Sequence, residues 1–239
     1  PILVTRGDNG NSTQVGVTLT VNPTQLVRTV PQGGSIQATI DAADPGDLII
    51  VPGGLYNENV IIDRGIQLQG VGAGSTIISG TNLPTSRAAA WRAALQAKLD
   101  AGLAQLLPGQ EGPVAEAPVG WESGLVAEES PTIFVAPADG DFAAAPNRPR
   151  IDGLTVRSGE IGGGILLNGY AESMEVSNNI VKNNVGVFGG GIRVGRNDIE
   201  GIVDGQNDGI SIHNNQVAFN AGLDGPGGIA IYPGADNYV

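Results

Sequence analysis

Short apolar runs separated by glycine and proline recur along the first part of the chain. Four such runs lie at 48–51, 60–63, 66–69 and 76–79. The residues between them include glycines, which tolerate the positive φ angles that tight turns require. Segments this short and closely spaced predict strands and leave no room for the crossover helices of βαβ units. We therefore expect each strand to stack in parallel on its equivalent one coil later.

A repeat carries the pattern into the C-terminal part. Glycine-rich segments align at 161–167, 188–194 and 226–231, and asparagine-rich segments follow the first two at 176–184 and 212–220. Ile165 and Ile192 are 27 residues apart, and Ile192 and Ile229 are 37 apart. Fixed-period self-similarity predicts a solenoid in which these isoleucines stack. The next asparagine-rich strand would fall after the last residue, so we expect this chain to be a piece of a longer polypeptide.

The same patterns divide the chain into four parts. Residues 1–24 form the end of a preceding β segment or an N-terminal strand, because apolar residues alternate there. Residues 25–80 hold a cap and the first coils, since Ile36 and Ile40 have helical spacing and predict a short helix that closes the first coil. Residues 81–148 form an insertion, and the coils of 149–239 are open at their C-terminal end.

The insertion is predicted to contain one amphipathic helix. Thr85 and Ser86 can cap its start, and Pro108 and Gly109 can end it. Its apolar residues are Trp91, Leu95, Leu99, Leu103 and Leu106. This stripe either packs on the flank of the solenoid or binds a partner. A proline- and alanine-rich stretch follows, interrupted by a strand-like segment at 132–135.

Composition agrees with an aliphatic all-β core. Glycine accounts for 38 of 239 residues and aromatic residues for 4%, so the core must consist of Ile, Val and Leu. The formal net charge of −12 repels phosphate backbones and anionic lipids, so we expect neither nucleic-acid binding nor membrane insertion. The absence of cysteine excludes disulfides and thiolate metal sites.

Residues 45–62, together with 35–40 before them, closely resemble the opening of right-handed parallel β-helix proteins of the pectin-lyase-like group. The later coils resemble the repeats of large bacterial surface proteins of that group. The resemblance covers roughly 25–80 and 150–239. It implies an all-β, right-handed parallel β-helix with an N-terminal cap and one helical insertion. The group includes polysaccharide lyases, hydrolases and non-catalytic adhesins, so the resemblance leaves the activity open.

Enzymes of this fold resemble one another in stacking carboxylates and basic residues over one groove. The repeat offsets place Glu175 beside Ser211, Ser177 beside His213, and Arg193 between two apolar residues. These columns bring no acid next to another acid or to a base, as general acid–base catalysis would need. We therefore expect no catalytic residues in this chain.

Three other groups of residues are candidates for binding or structural roles. Arg193, Arg196 and His213 are candidate ligand-binding residues, and Asp198, Asp204 and Asp208 are either Ca²⁺ ligands or solvated turn acids. Apart from Ca²⁺ we expect no cofactor, since one histidine and one methionine are too few for a transition-metal site. Six asparagines at repeated turn positions predict a structural ladder, with saccharide contact as the alternative. They are Asn178, Asn179, Asn184, Asn214, Asn215 and Asn220.

The leading hypothesis is a non-catalytic structural or adhesive segment of a longer bacterial secreted or surface protein. Its rigid flank would face a partner chain or a polysaccharide, and the rest of the same polypeptide or another chain would continue the β-helix. The alternative is a polysaccharide-active lyase or hydrolase whose groove is completed by further coils. A groove with at least three stacked charged side chains would favour the enzyme.

Overall fold

The protein is described here by a computed structural model that covers residues 2–5, 12–15, 25–108, 110, 130–196 and 204–232. Its strands are short, and most have three or four residues. In chain order the elements are β1 (Ile2–Thr5), β2 (Ser12–Val15), β3 (Val27–Thr29), α1 (Ile36–Asp41), β4 (Leu48–Val51), β5 (Gly54–Tyr56), β6 (Val60–Ile62), β7 (Gln67–Gly70), β8 (Thr76–Ser79), α2 (Ser86–Asp100), β9 (Ile133–Val135), α3 (Asp141–Ala144), β10 (Arg150–Asp152), β11 (Thr155–Arg157), β12 (Ile165–Leu167), β13 (Glu175–Ser177), β14 (Ile180–Lys182), β15 (Val185–Gly186), β16 (Ile192–Val194), β17 (Ser211–His213), β18 (Gln216–Ala218), β19 (Ala221–Gly222) and β20 (Ile229–Ile231).

Three parallel sheets form the walls of a solenoid. Sheet I contains six strands in the order β17-β13-β10-β7-β4-β3, sheet II contains β18-β14-β11-β8-β5, and sheet III contains β20-β16-β12-β9-β6. Each strand pairs in parallel with its equivalent on the adjacent coil. This is a right-handed parallel β-helix, and it confirms the predicted fold class.

A single aliphatic column fills the interior. Ile165 pairs with Ile192, and Ile192 pairs with Ile229, so the stack expected from the repeat is confirmed. Ile165 and Ile192 are at most 1% exposed. Each coil therefore adds one layer of Ile, Val and Leu, and each such side chain contributes about 1.5–3 kcal/mol when fully buried.

Helix α1 closes the N-terminal end of this column. Ile36 and Ile40 on one face are fully buried, as their spacing predicts. The Ser35 hydroxyl accepts a hydrogen bond from the backbone N–H of Ala38 at 3.1 Å. The Glu58 carboxylate accepts from the first N–H groups of the helix, including that of Ile36 at 2.9 Å, which suits the positive end of the helix dipole. Glu58 therefore ties the cap to the coil beneath it.

Helix α2 packs on the outer face of sheet III. Trp91 and Leu95 are buried against a row formed by Ile61, Phe134 and Leu166. The Trp91 and Phe134 rings meet edge to face, with centroids 5.6 Å apart. Of the two expectations for the apolar stripe, the structure therefore shows packing on the solenoid. No helix in the described ranges has both the length and the apolar character to cross a membrane.

The helix is shorter than its apolar stripe suggests. It ends at Asp100, because Gly102 adopts a left-handed conformation with φ of 68°. The N–H of Leu103 then donates to the carbonyl of Lys98 at 2.9 Å, the closing bond of a glycine C-cap. Leu103 is 44% exposed, so the predicted continuation of the helix to Pro108 is wrong.

A buried ion-pair cluster fastens α2 to the first coils. The Lys98 ammonium donates to Asp63 Oδ2 at 2.7 Å and to Asp41 Oδ1 at 2.6 Å. Arg64 donates from Nε to Asp63 Oδ1 at 2.8 Å. The Asp63 side chain is fully buried, so these contacts replace the solvation that its charge has lost.

The predicted insertion at 81–148 contains one strand of the solenoid. Ile133 and Val135 on β9 are fully buried in the central core, and β9 lies between β6 and β12 in sheet III. The chain thus leaves the coil twice, before β9 with α2 and after it with α3. At the N-terminus β1 and β2 pair as antiparallel strands, whereas 16–24 lies outside the described residues.

Candidate functional site

The outer face of sheet I carries a row of polar side chains. Ile49, Leu68, Ile151 and Val176 in the middle of four of its strands are fully buried inside the solenoid. The residues on either side of them therefore face outward. On β7, β10, β13 and β17 these positions hold Gln67, Gln69, Arg150, Asp152, Glu175, Ser177, Ser211 and His213, which together we call the polar face.

The strand register places an acid directly beside a base on this face. Arg150 is aligned with Glu175 on the next coil, and Asp152 is aligned with Ser177. The columns expected from the repeat offsets are confirmed, with Glu175 beside Ser211 and Ser177 beside His213. The preceding coil adds an acid–base pair, Arg150 and Glu175, that those columns did not include. The offsets of 27 and 37 residues come from later coils. Arg150 and Glu175 are 25 positions apart, and neither offset predicts this shorter coil.

Asp152 is the most strongly held residue of the polar face. Its Oδ1 accepts from Gln69 Nε2, and its Oδ2 accepts from Ser177 Oγ and Asn178 Nδ2, each at 2.6 Å. Burial of the carboxyl raises its pKa, but these three hydrogen bonds and the Arg150 charge outweigh burial, so the pKa lies below the usual value. Asp152 is therefore ionised near neutral pH and acts to orient its neighbours.

Glu175 is the carboxylate that reaches solvent. Its Oε1 lies 2.9 Å from Ser177 Oγ and 3.5 Å from His213 Nε2, and its side chain is 21% exposed. Ser177 is fully buried and has one hydroxyl proton, so it can donate either to Asp152 or to Glu175 at one time. Glu175 and the half-exposed His213 are thus members of this hydrogen-bonded group that remain open to solvent.

A cavity adjoins the Glu175 end of the polar face. Arg148 extends the positive charge there, with Nη1 at 3.7 Å from Glu175 Oε2. Its guanidinium is fixed by the carbonyls of Ser173 at 2.6 Å and Gly209 at 3.1 Å. Arg148, Phe142, Pro149 and the two carbonyl residues line a cavity of about 440 Å³, within the range for small-ligand pockets.

The three predicted binding residues are not brought together. His213 lies on the polar face, and its side chain is 44% exposed. Arg193 and Arg196 are 1% and 2% exposed. Arg193 belongs to the outer row of sheet III beside Leu166, the row that α2 packs against. Arg193 alternates with the buried Ile192 and Val194, which indicates that it faces outward. This alternation does not show that Arg193 is itself buried.

The predicted calcium ligands are only partly described. Asp198 lies outside the described residues, and the Asp204 carboxylate accepts from the N–H of Gln206 at 2.8 Å. Asp204 and Asp208 lie close to a further acid, Glu172. Burial raises the pKa of Glu172, and the negative charges of Asp204 and Asp208 raise it more. Within the part of the chain that the structure describes, no three acids, histidines or cysteines converge as metal ligands. Calcium binding stays a prediction.

Four of the six predicted asparagines form two ladders between coils. Asn215 Oδ1 accepts from the backbone N–H of Asn179 at 2.9 Å and from its Nδ2 at 3.1 Å. Asn220 Oδ1 accepts from the same two groups of Asn184 at 3.1 and 2.9 Å. Because Asn179 and Asn184 are 1% exposed, these amides hold the backbone and are closed to a saccharide.

The remaining two asparagines occupy left-handed turn positions. Asn178 and Asn214 have φ of 56° and 54°, a conformation that asparagine tolerates better than most residues. Both are exposed. Asn178 also donates to Asp152 and so belongs to the hydrogen-bond network of the polar face. The repeat did not indicate this contact.

Comparison with known proteins gives one weak structural likeness and no sequence relative. No family model matches the chain, and no curated protein matches its sequence. Among solved structures, the pectin methylesterase from carrot aligns with 15% identity and a TM-score of 0.39, over 90% of this chain and 65% of that one. This chain therefore spans less than two thirds of that structure's length. The stacked parallel sheets fit a pectin-lyase-like β-helix.

Proposed function

We propose that this chain is a non-catalytic β-helix segment of a longer bacterial secreted or surface protein, and that its polar face binds a polysaccharide. The observation that carries this proposal is the fixed row of amide, carboxylate and imidazole groups on the outside of sheet I. Such groups donate to and accept from sugar hydroxyls. Gln67, Arg150, Glu175 and His213 all retain solvent exposure for this purpose.

The geometry of the sheet suits an extended ligand. Equivalent side chains on adjacent coils repeat at about 4.8 Å along the solenoid axis. The hydrogen bonds around Asp152 hold Gln69, Ser177 and Asn178 in place before any ligand arrives. A prearranged surface loses less conformational entropy on binding, which favours affinity.

The last described strand supports the expectation that further coils stack on this chain. Ile229 and Ile231 on β20 are 43% and 47% exposed, although they continue the buried columns of sheet III. A coil from the same polypeptide or from another chain would cover them and pair with the open strand.

Affinity electrophoresis in gels containing different polysaccharides tests the binding proposal. We expect at least one polysaccharide to retard the protein, and Glu175→Gln combined with His213→Ala to abolish that retardation. Asp224→Asn is the matched control, because this exposed acid lies away from sheet I. Equal retardation of all three proteins would contradict a role for the polar face, and no retardation by any polysaccharide would overturn the proposal.

The cluster around Glu175 favours a polysaccharide-active enzyme as the second candidate. Arg150, Asp152 and Glu175 are three neighbouring charged residues, of which Arg150 and Glu175 are stacked on adjacent coils. Glu175 also lies within reach of Ser177 and His213, as a general acid or base would. New reducing ends would reveal a hydrolase, and ultraviolet absorbance of an unsaturated product would reveal a lyase. Cleavage that Glu175→Gln abolishes would establish the enzyme, and retention without cleavage would establish the binding segment.

A further inference from the structure

Two positive side chains lie side by side on the outer face of sheet II. Val156 and Val181 are fully buried, so the residues that follow them face outward. Arg157 on β11 is aligned with Lys182 on β14 in parallel register. Adjacent parallel strands are about 4.8 Å apart, so the two side chains begin as direct neighbours.

No acid compensates this pair in the described part of the chain. Its row continues to Ser79 on one side and to Ala218 on the other, neither of which is charged. Glu160, the acid nearest to Arg157 in the sequence, contacts the Thr81 hydroxyl at 2.9 Å. By contrast, Arg28, Arg64, Lys98 and Arg148 all have carboxylate partners.

The guanidinium of Arg157 also has an unmet donor. Its Nε is buried and has no hydrogen-bond acceptor among the described residues. Like charges on neighbouring strands repel each other, and a buried donor without an acceptor is unfavourable. The chain contains 24 acids and 12 basic residues, yet no carboxylate of the described residues pairs with Arg157 or Lys182.

We propose that Arg157 and Lys182 form a binding site for an oxyanion, either a sulfate or a carboxylate group. The planar guanidinium offers parallel N–H groups to two oxygens, and the ammonium adds a second positive charge. Both side chains are partly exposed, so the group can approach from solvent. The anion would neutralise the repulsion between the guanidinium and the ammonium.

Nuclear magnetic resonance of the Arg157 Nε–H signal tests this site directly. Titration with sodium sulfate is compared with sodium chloride at equal ionic strength. We expect a saturable shift with sulfate only, and binding about tenfold weaker or lost in Arg157→Gln and Lys182→Gln, followed through backbone amides of β11 and β14. Lys182→Arg keeps the charge and should retain binding. Arg87→Gln, which removes a charge from α2, should leave it unchanged.

Three polymers that share one backbone distinguish an anion carried on a polymer from a free anion in solution. Dextran sulfate, carboxymethyl dextran and uncharged dextran differ only in their charged groups. Retention of a charged polymer that Lys182→Gln abolishes would assign the site to groups carried on a polymer, and binding of free sulfate alone would assign it to small anions. Equal, non-saturating shifts with sulfate and chloride, or full binding by both glutamine variants, would overturn the proposal. The polar face does not enter this test, so its outcome is independent of the function proposed above.

Discussion

Replacing Lys98 by methionine should detach α2 from the solenoid, because Lys98 is the cation that joins the helix to two acids of the first coils. Methionine keeps the aliphatic length of the side chain but leaves Asp63 buried with Arg64 as its remaining partner. Removing one partner from a buried ion pair costs about 3–5 kcal/mol. Since Arg64 still compensates part of the charge, we expect a loss of about 3 kcal/mol, at the lower end of that range.

The loss can be measured through Trp91, which is 4% exposed on the face of α2 that packs against the solenoid. Urea unfolding followed by its fluorescence, in a Trp121→Phe background, reports the free energy of docking α2 as well as of global unfolding. Gln96→Met is the matched control, because Gln96 lies on the same helix and its side-chain amide donates to the exposed Asp100 at 2.7 Å. That control should change the free energy of unfolding by less than about 0.5 kcal/mol.

The contribution of Asp63 should also depend on pH in a defined direction. Burial raises the pKa of Asp63, but its hydrogen bonds with Arg64 and Lys98 lower it further, so the folded protein holds this pKa below the usual value. A group with a depressed folded pKa stabilises the protein above its unfolded pKa of about 3.9, and that contribution fades as the pH falls below about 5. The stability gap between the native protein and Lys98→Met should therefore narrow towards pH 3. A gap equal to that of Gln96→Met at pH 7 would refute the reasoning.

Three further predictions concern the coils and the polar face. Asn179→Ala should destabilise the protein by about 1–3 kcal/mol in urea, because the buried N–H of Leu154 loses the acceptor at 3.0 Å. Gly191→Ala should destabilise it by about 1–3 kcal/mol, since a Cβ would lie 2.4 Å from a carbonyl oxygen of the next coil, whereas Gly74→Ala meets nothing within 4 Å and serves as its control. Asp152→Asn should weaken polysaccharide binding at pH 7 by disordering the polar face. The pKa of Asp152 is lowered in the folded protein, so its carboxylate stabilises the fold at neutral pH and loses this contribution on acidification from about pH 5 to pH 3. The difference in thermal stability between the native protein and Asp152→Asn should therefore shrink over that range.

The repeat made the coil stacking predictable from sequence. Ile165, Ile192 and Ile229 align because each glycine-rich segment returns the chain to the same wall of the solenoid. Strand β4 coincides with its predicted run at Leu48–Val51, since proline and glycine follow it directly. Local chemistry marks these positions, and no distant contact is needed to find them.

The polar face was harder to predict because it depends on loop lengths between coils. Arg150 follows the excursion after β9, where no repeat fixes the register, so its alignment with Glu175 required the structure. Arg193 illustrates a second limit. Alternation correctly places it on the outside of sheet III, but local sequence does not show that this position is enclosed.

The two asparagine ladders give the solenoid a direction. Asn215 reaches back to the preceding coil twice, accepting from Asn179 and donating from Nδ2 to the carbonyl of Val176 at 2.7 Å. Asn220 does the same with Asn184 and with the carbonyl of Val181 at 2.9 Å. The coil that contains β13 and β14 is thus completed by residues that leave the ribosome after it, so this part of the β-helix can consolidate from the N-terminal side while synthesis continues. Force applied to the C-terminal end should conversely peel off one coil at a time.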